Sequence, residues 1–142
     1  MLRLGLGLGS LLLAVDVAPV AKPVDPFAVT RGCVTMLDRF VACGADKDFA
    51  GHRARWVAAG AGDKKKLRAE IEKRIAGWSK RDARRGQCAI WARREGAAEH
   101  LAEGTALAKL AADRTSTSCA AYARALDADG WLPAALGDLR RD

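Results

Sequence analysis

Four cysteines, Cys33, Cys43, Cys88 and Cys119, constrain this chain more than any other feature. In an oxidising compartment an even cysteine count closes into disulfides, and each bridge demands a pair of Cα atoms within about 7 Å. The compartment is read from residues 1–21. Arg3 is a minimal positive start, Leu4 to Val15 carries no charge, and Ala18, Pro19, Val20 and Ala21 offer small residues for processing. Asp16 and Pro19 depart from the usual pattern, and the apolar run is too short to span a bilayer. The expectation is an exported protein of bacterial type, periplasmic or extracellular. Its signal peptide is 1–21, its lead-in 22–26, its single helical domain 27–137 and its charged tail 138–142.

Alanine is abundant while aromatic and β-branched residues are few, which favours helix over sheet. An alanine-rich core buries little area per residue. Phe27, Phe40, Phe49, Trp56, Trp78, Trp91, Tyr122 and Trp131 are therefore expected to supply much of the apolar mass. Two disulfides, each worth about 2–4 kcal/mol, suit such a chain. The fold class is all-α: a small disulfide-stapled bundle of about five helices.

The helices are placed by caps and periodicity. Asp25 and Pro26 read as N-cap and first residue of a helix over 26–43, with Cys33, Met36, Leu37, Phe40 and Val41 on one face. A second begins after Asp46 or Asp48, buries Phe49, Trp56 and Val57, and breaks at Gly60-Ala61-Gly62. A third starts near Asp63 with a stripe of Leu67, Ile71, Ile75 and Trp78. The next stripe positions are Asp82 and Arg85, after which the period resumes at Cys88 and Trp91. A bend is expected between Ser79 and Gln87, where Gly86 weakens the helix. A fourth helix covers about 97–113. A fifth follows a cap among Thr115 to Ser118, carries Cys119, Tyr122 and Leu126, and ends at Gly130, with a last turn over 133–139. The spacing of Cys33, Met36, Phe40 and Gly44 resembles that of Cys119, Tyr122, Leu126 and Gly130, an echo too slight to establish duplication.

Cys33 and Cys43 sit about 15 Å apart along one helix axis and cannot bond each other if that helix is intact. With five helices alternating up and down, Cys33 and the start of the fifth helix lie at one end, Cys43 and Cys88 at the other. The expected bridges are Cys33–Cys119 and Cys43–Cys88.

Other uses of these residues lack their signatures. Zinc sites draw on close pairs such as C-x2-C, redox enzymes on C-x-x-C, hydrolases of one large class on G-x-S-x-G, and none of these is present. No metal and no cofactor is expected. His52 and His100 have acidic neighbours in sequence (Asp48, Glu99, Glu103) and read as helix-surface residues. Glu70 is expected to pair with Lys66 and Arg74 at i,i+4 spacing.

Charge is the one pattern with functional content. From Asp63 to Arg94 there are twelve basic and four acidic residues, a net +8 against +7 for the whole chain. The excess is thus confined to one segment, and its field reaches about 8 Å at physiological salt. Within it, Lys80, Arg81, Arg84 and Arg85 are the candidate anion-binding residues. The partners considered are an anionic polymer, membrane headgroups or another envelope protein. Nucleic acid is disfavoured by the absence of a recognition-helix signature. The functional expectation is an exported, non-enzymatic helical protein that works by binding. The alternative is a small hydrolase or redox enzyme whose site is assembled from scattered residues, and a pocket joining His52 or His100 to a carboxylate or a free thiol would favour it.

Overall fold

The computed structural model describes residues 25–139 and 142. The signal expected at 1–21 and most of the lead-in lie outside the described residues. The described chain is all-helical: α1 (Pro26–Ala42), α2 (Lys47–Ala58), α3 (Lys64–Gly77), α4 (Arg81–Trp91), α5 (Ala97–Leu101), α6 (Ala106–Ala112), α7 (Cys119–Asp129) and α8 (Trp131–Gly137).

Local chemistry sets the starts. The side chains of Asp25, Asp46, Asp63, Thr105 and Ser118 each accept a hydrogen bond from a backbone N–H of the following turn, satisfying donors that the helix itself leaves unpaired. Gly130, at φ 78°, ends α7 and opens α8, a left-handed geometry that costs other residues energy. Pro133 falls in the first turn of α8, where its missing N–H is not needed.

The five-helix count is corrected to eight helices among the described residues. The third expected helix is two, because the chain turns at Trp78–Lys80, earlier than the Gly86 weak point; Gly86 lies inside α4. The fourth is also two, α5 and α6, separated by a turn holding Gly104.

The first of these breaks overturns the expected disulfide pairing. The bridges are Cys33–Cys88 and Cys43–Cys119, not Cys33–Cys119 and Cys43–Cys88. Splitting one helix into α3 and α4 adds a reversal and flips the direction of every later element. α4 runs antiparallel to α1, setting Arg84 beside Asp38 and Cys88 beside Cys33. α7 also runs antiparallel to α1, setting Cys119 beside Cys43 and Tyr122 beside Met36. The echo between the two cysteine-bearing helices does not extend to their geometry. Cys119 opens α7 while Cys33 lies mid-helix, and Gly130 is left-handed while Gly44 is not.

α1 packs against α4, α5 and α6, and α2 packs against α3, α7 and α8. Between these two groups lies an aromatic core. Phe40 meets Phe49 and Trp78 edge-on at 5.1 and 5.8 Å, Trp78 meets Trp91 at 5.6 Å, and Phe49 stacks on Tyr122. Edge-on pairs set the positive ring edge on the negative ring face. Met36, Leu37 and Phe40 are buried as the spacing of α1 predicts. Phe27 is the exception among the aromatics: it is 73% exposed and does not join the core.

Two close approaches fix how the helices cross. A Cβ on Gly32 would stand 1.9 Å from the Leu101 carbonyl oxygen, so α1 touches the α5–α6 connection backbone to backbone. There the Glu103 N–H donates to the Ala28 carbonyl at 3.0 Å. Gly60, after α2, and Gly137, ending α8, meet less tightly: a Cβ on either would stand 3.1 or 3.3 Å from the other's Cα. Described residues near the C-terminus also meet the core. Leu139 is 1% exposed, and the Asp142 side chain, 4% exposed, lies among three donors.

Candidate functional site: a groove between α3 and α4

α3 leans on α2 and α8 while α4 leans on α1, so the two helices diverge from their shared turn and leave a groove of about 690 Å³. Ile71, Trp78 and Leu139, each 1% exposed, lie beneath its floor, Ile90 is its open apolar side chain, and Glu70, Lys73 and Arg74 stand along α3. Gly77 and Gly86 contribute to its walls, and a Cβ at either would meet nothing within 4 Å. Arg74 donates to the Gln87 Oε1 atom at 3.3 Å, linking the helices across the groove. Ile90 is 40% exposed, one of few large apolar side chains so open to solvent.

The turn that opens the groove is held by Arg84. Its Nε donates to Asp38 Oδ1 at 2.6 Å, and its Nη1 donates to the carbonyl oxygens of Trp78 and Ser79 at 2.6 and 3.1 Å. One guanidinium thus caps the end of α3 and ties it to α1, the role a cation plays best at a helix C-terminus.

The four expected anion-binding residues are therefore not equivalent, and none lines the groove. Arg84 is half-buried and fully engaged, whereas Lys80, Arg81 and Arg85 are exposed on the turn and the outer side of α4. The expected pairing of Glu70 with Lys66 and Arg74 is not made. Arg74 reaches Gln87 instead, and α3 finds its ion pair through Glu72 and Arg53 at 3.8 Å. Lys73 and Arg74 consequently bring positive charge to the groove, and among the described residues neither is ion-paired with a carboxylate. Gln87, Ile90 and Leu139 were not singled out from the sequence. Ile90 carried a signal, an apolar residue off the buried stripe of Cys88 and Trp91.

Both histidines pair with carboxylates, though not with their neighbours in sequence. His52 Nδ1 lies 2.7 Å from Asp127 Oδ2, and Trp56 Nε1 donates to the other oxygen of Asp127. His100 Nδ1 lies 3.0 Å from both oxygens of Asp129, and its ring stacks on Trp131. Asp127 and Asp129 sit at the C-terminal end of α7, where the helix dipole disfavours an anion, and the Trp56 indole and the Trp131 backbone N–H, which donate to them, offset that cost. A second groove, between α2 and α8, is bordered by Arg55, Trp56 and Asp127, but neither histidine lines it, nor does any Ser, Thr or Cys. Among the described residues no cysteine is free, no group of three or more His, Cys, Asp or Glu is placed to hold a metal, and no helix is long and apolar enough to cross a membrane.

The remaining buried polar cluster is structural. Arg39 Nε donates to Cys43 Sγ at 3.3 Å, and its Nη2 donates to the Thr117 carbonyl. Tyr122 donates its hydroxyl to the Met36 carbonyl at 3.0 Å. Burial pushes the Tyr122 phenol far above its ordinary range, against the opposing pull of the Arg39 charge. On the surface, Arg31 grips Glu103 with two donors at 2.8 and 3.0 Å and holds its carboxyl below the usual range.

No protein-family model, curated protein or solved structure matches the chain.

Proposed function

We propose that this is an exported, non-enzymatic binding protein that holds an acidic, partly apolar polypeptide segment in the α3–α4 groove. The observation that supports this most is the groove itself, with Ile90 open to solvent and Lys73 and Arg74 outnumbering Glu70 along its wall, on the segment that holds the chain's positive excess. A concave site between two helices suits a polypeptide whose side chains alternate in depth better than a flat layer of headgroups. Lys80, Arg81 and Arg85 lie outside it, and their field draws an acidic partner toward the groove. Export is supported by the two disulfides, which persist in oxidising compartments such as the periplasm or the extracellular space.

The test is binding of a fluorescein-labelled peptide of alternating glutamate and leucine, followed by anisotropy. The combined Lys73→Gln and Arg74→Gln variant should bind about threefold to tenfold more weakly at low salt, as expected for partly exposed charges. Replacing Lys80, Arg81 and Arg85 by Gln should chiefly slow association. Heparin and anionic vesicles serve as competitors. Wild-type protein that prefers either of them to the peptide, or that ignores the peptide at low salt, rejects the proposal.

A further inference from the structure

We propose that the Cys43–Cys119 bridge is a site of reversible modification by a small thiol. Cys119 is the sulfur attacked, and Arg39 is the cation that receives the Cys43 thiolate.

The two bridges differ in access. Cys33 and Cys88 are 1% and 0% exposed, so a reagent reaches neither without opening the fold. Cys43 is buried as deeply, but Cys119, the first residue of α7, is only half-buried and is the one cysteine of the four open to solvent. Exchange begins when a thiolate attacks one sulfur of a disulfide and the other sulfur leaves as a thiolate. Access to the first sulfur and stability of the departing anion set the rate.

Arg39 supplies that stability. Besides joining α1 to α7, it is a cation 95% out of solvent whose Nε donates to Cys43 Sγ and whose Nη2 donates to the Thr117 carbonyl, at 5% residual exposure. Among the described residues no carboxylate is ion-paired with it. A buried charge whose partners are a carbonyl and a neutral sulfur keeps much of its desolvation cost. Two titratable groups close by supply no anion: burial keeps the Tyr122 phenol protonated, and the Asp46 side chain caps α2. The anion that would offset the cost is one the bridge itself releases. A thiolate on Cys43 would form 3.3 Å from the guanidinium nitrogen, and a cation so placed makes sulfur a better leaving group.

The step balances without any further oxidant or reductant. The thiolate of the entering molecule bonds to Cys119 Sγ, the Cys43–Cys119 bond breaks, and its electron pair stays on Cys43 Sγ. The entering sulfur is oxidised to a mixed disulfide and Cys43 is reduced. Arg39 still holds the Thr117 carbonyl, just before Cys119 in the chain, and so keeps the modified end beside α1. When free thiol is withdrawn, the Cys43 thiolate attacks Cys119, expels the adduct as its thiolate and restores the bridge. The site lies apart from the α3–α4 groove and does not depend on it.

Reduced glutathione is the probe. Folded protein is incubated with it without oxygen, quenched in acid, alkylated with N-ethylmaleimide in denaturant and mapped by mass spectrometry. Glutathione should be found on Cys119 and maleimide on Cys43, and Cys33–Cys88 should open at least about tenfold more slowly. No adduct, glutathione on Cys43, or equal opening of the two bridges overturns the proposal. Arg39→Gln should slow opening of Cys43–Cys119 about threefold to tenfold and leave Cys33–Cys88 as it was. A folded variant that opens as fast as wild type overturns the role of Arg39. Should Arg39→Gln open both bridges by unfolding, the wild-type adduct decides. Its ultraviolet difference spectrum should show thiolate on Cys43 at about pH 6, well below the ordinary thiol value of about 8.5. A protonated Cys43 at that pH overturns the inference.

Discussion

Arg84 serves three oxygens that otherwise have no such donor: Asp38 Oδ1 and the carbonyls of Trp78 and Ser79. Arg84→Ala should cost about 1–3 kcal/mol, the range for losing charge-assisted bonds at a partly buried site. Arg84→Lys should recover little of it, because an ammonium cannot fork between a carboxylate and two carbonyls. Urea denaturation of the three proteins checks both statements. Tyr122 offers a cleaner probe, being the chain's only tyrosine. Its phenol is raised in the folded state, so the fold favours the protonated form. That contribution is complete below about pH 10, the unfolded value, and is lost as pH rises beyond it. Phenolate absorbance should therefore appear only together with unfolding in alkali, and Tyr122→Phe should shift alkaline unfolding upward. A phenol titrating near its ordinary value in folded protein would contradict the burial. At this scale the sequence was informative about the core but silent about Arg84. A basic residue among basic residues gives no sign that its partners lie on another helix and on the backbone.

At the scale of elements, Gly32 is the tightest point. Gly32→Ala would drive a methyl group into the backbone between Leu101 and Glu103, a contact that no side-chain rotation relieves. The variant should lose about 3 kcal/mol or more, as overpacking against backbone does, and a thermal melt measures it. Phe40→Ala should cost about 3–5 kcal/mol, since Phe40 is fully buried against rings from α2 and the end of α3. Helix starts were legible because Asp25, Asp46, Asp63 and Ser118 declare them locally. The break in the third helix was legible too, since Asp82 and Arg85 interrupt the apolar stripe. What a stripe cannot encode is the angle at which the chain resumes. A gentle bend and a full reversal leave the same pattern, and only the divergence of α3 from α4 makes the groove.

For the molecule as a whole, that single angle decided the disulfides. One unrecognised reversal exchanged the partners of all four cysteines, although the rule of matching heights still held. Proteolysis without reduction should yield a peptide holding Cys33 joined to one holding Cys88, and Cys43 joined to Cys119. Removing either bridge by paired Cys→Ala substitution should cost about 2–5 kcal/mol.

One bridge begins within α1 and the other at its C-cap, Cys43, and this has a consequence for how the covalent structure is reached. In a disordered chain the nearest thiols collide most often, because closing a short loop costs least entropy. That statistics favours Cys33 with Cys43, a pairing that an intact α1 forbids. The native partners lie 55 and 76 residues apart. Oxidant supplied to the reduced, denatured chain should therefore trap the short loop. Oxidant supplied after the helix has formed should give the native isomer, so the order in which structure and oxidant arrive selects the product.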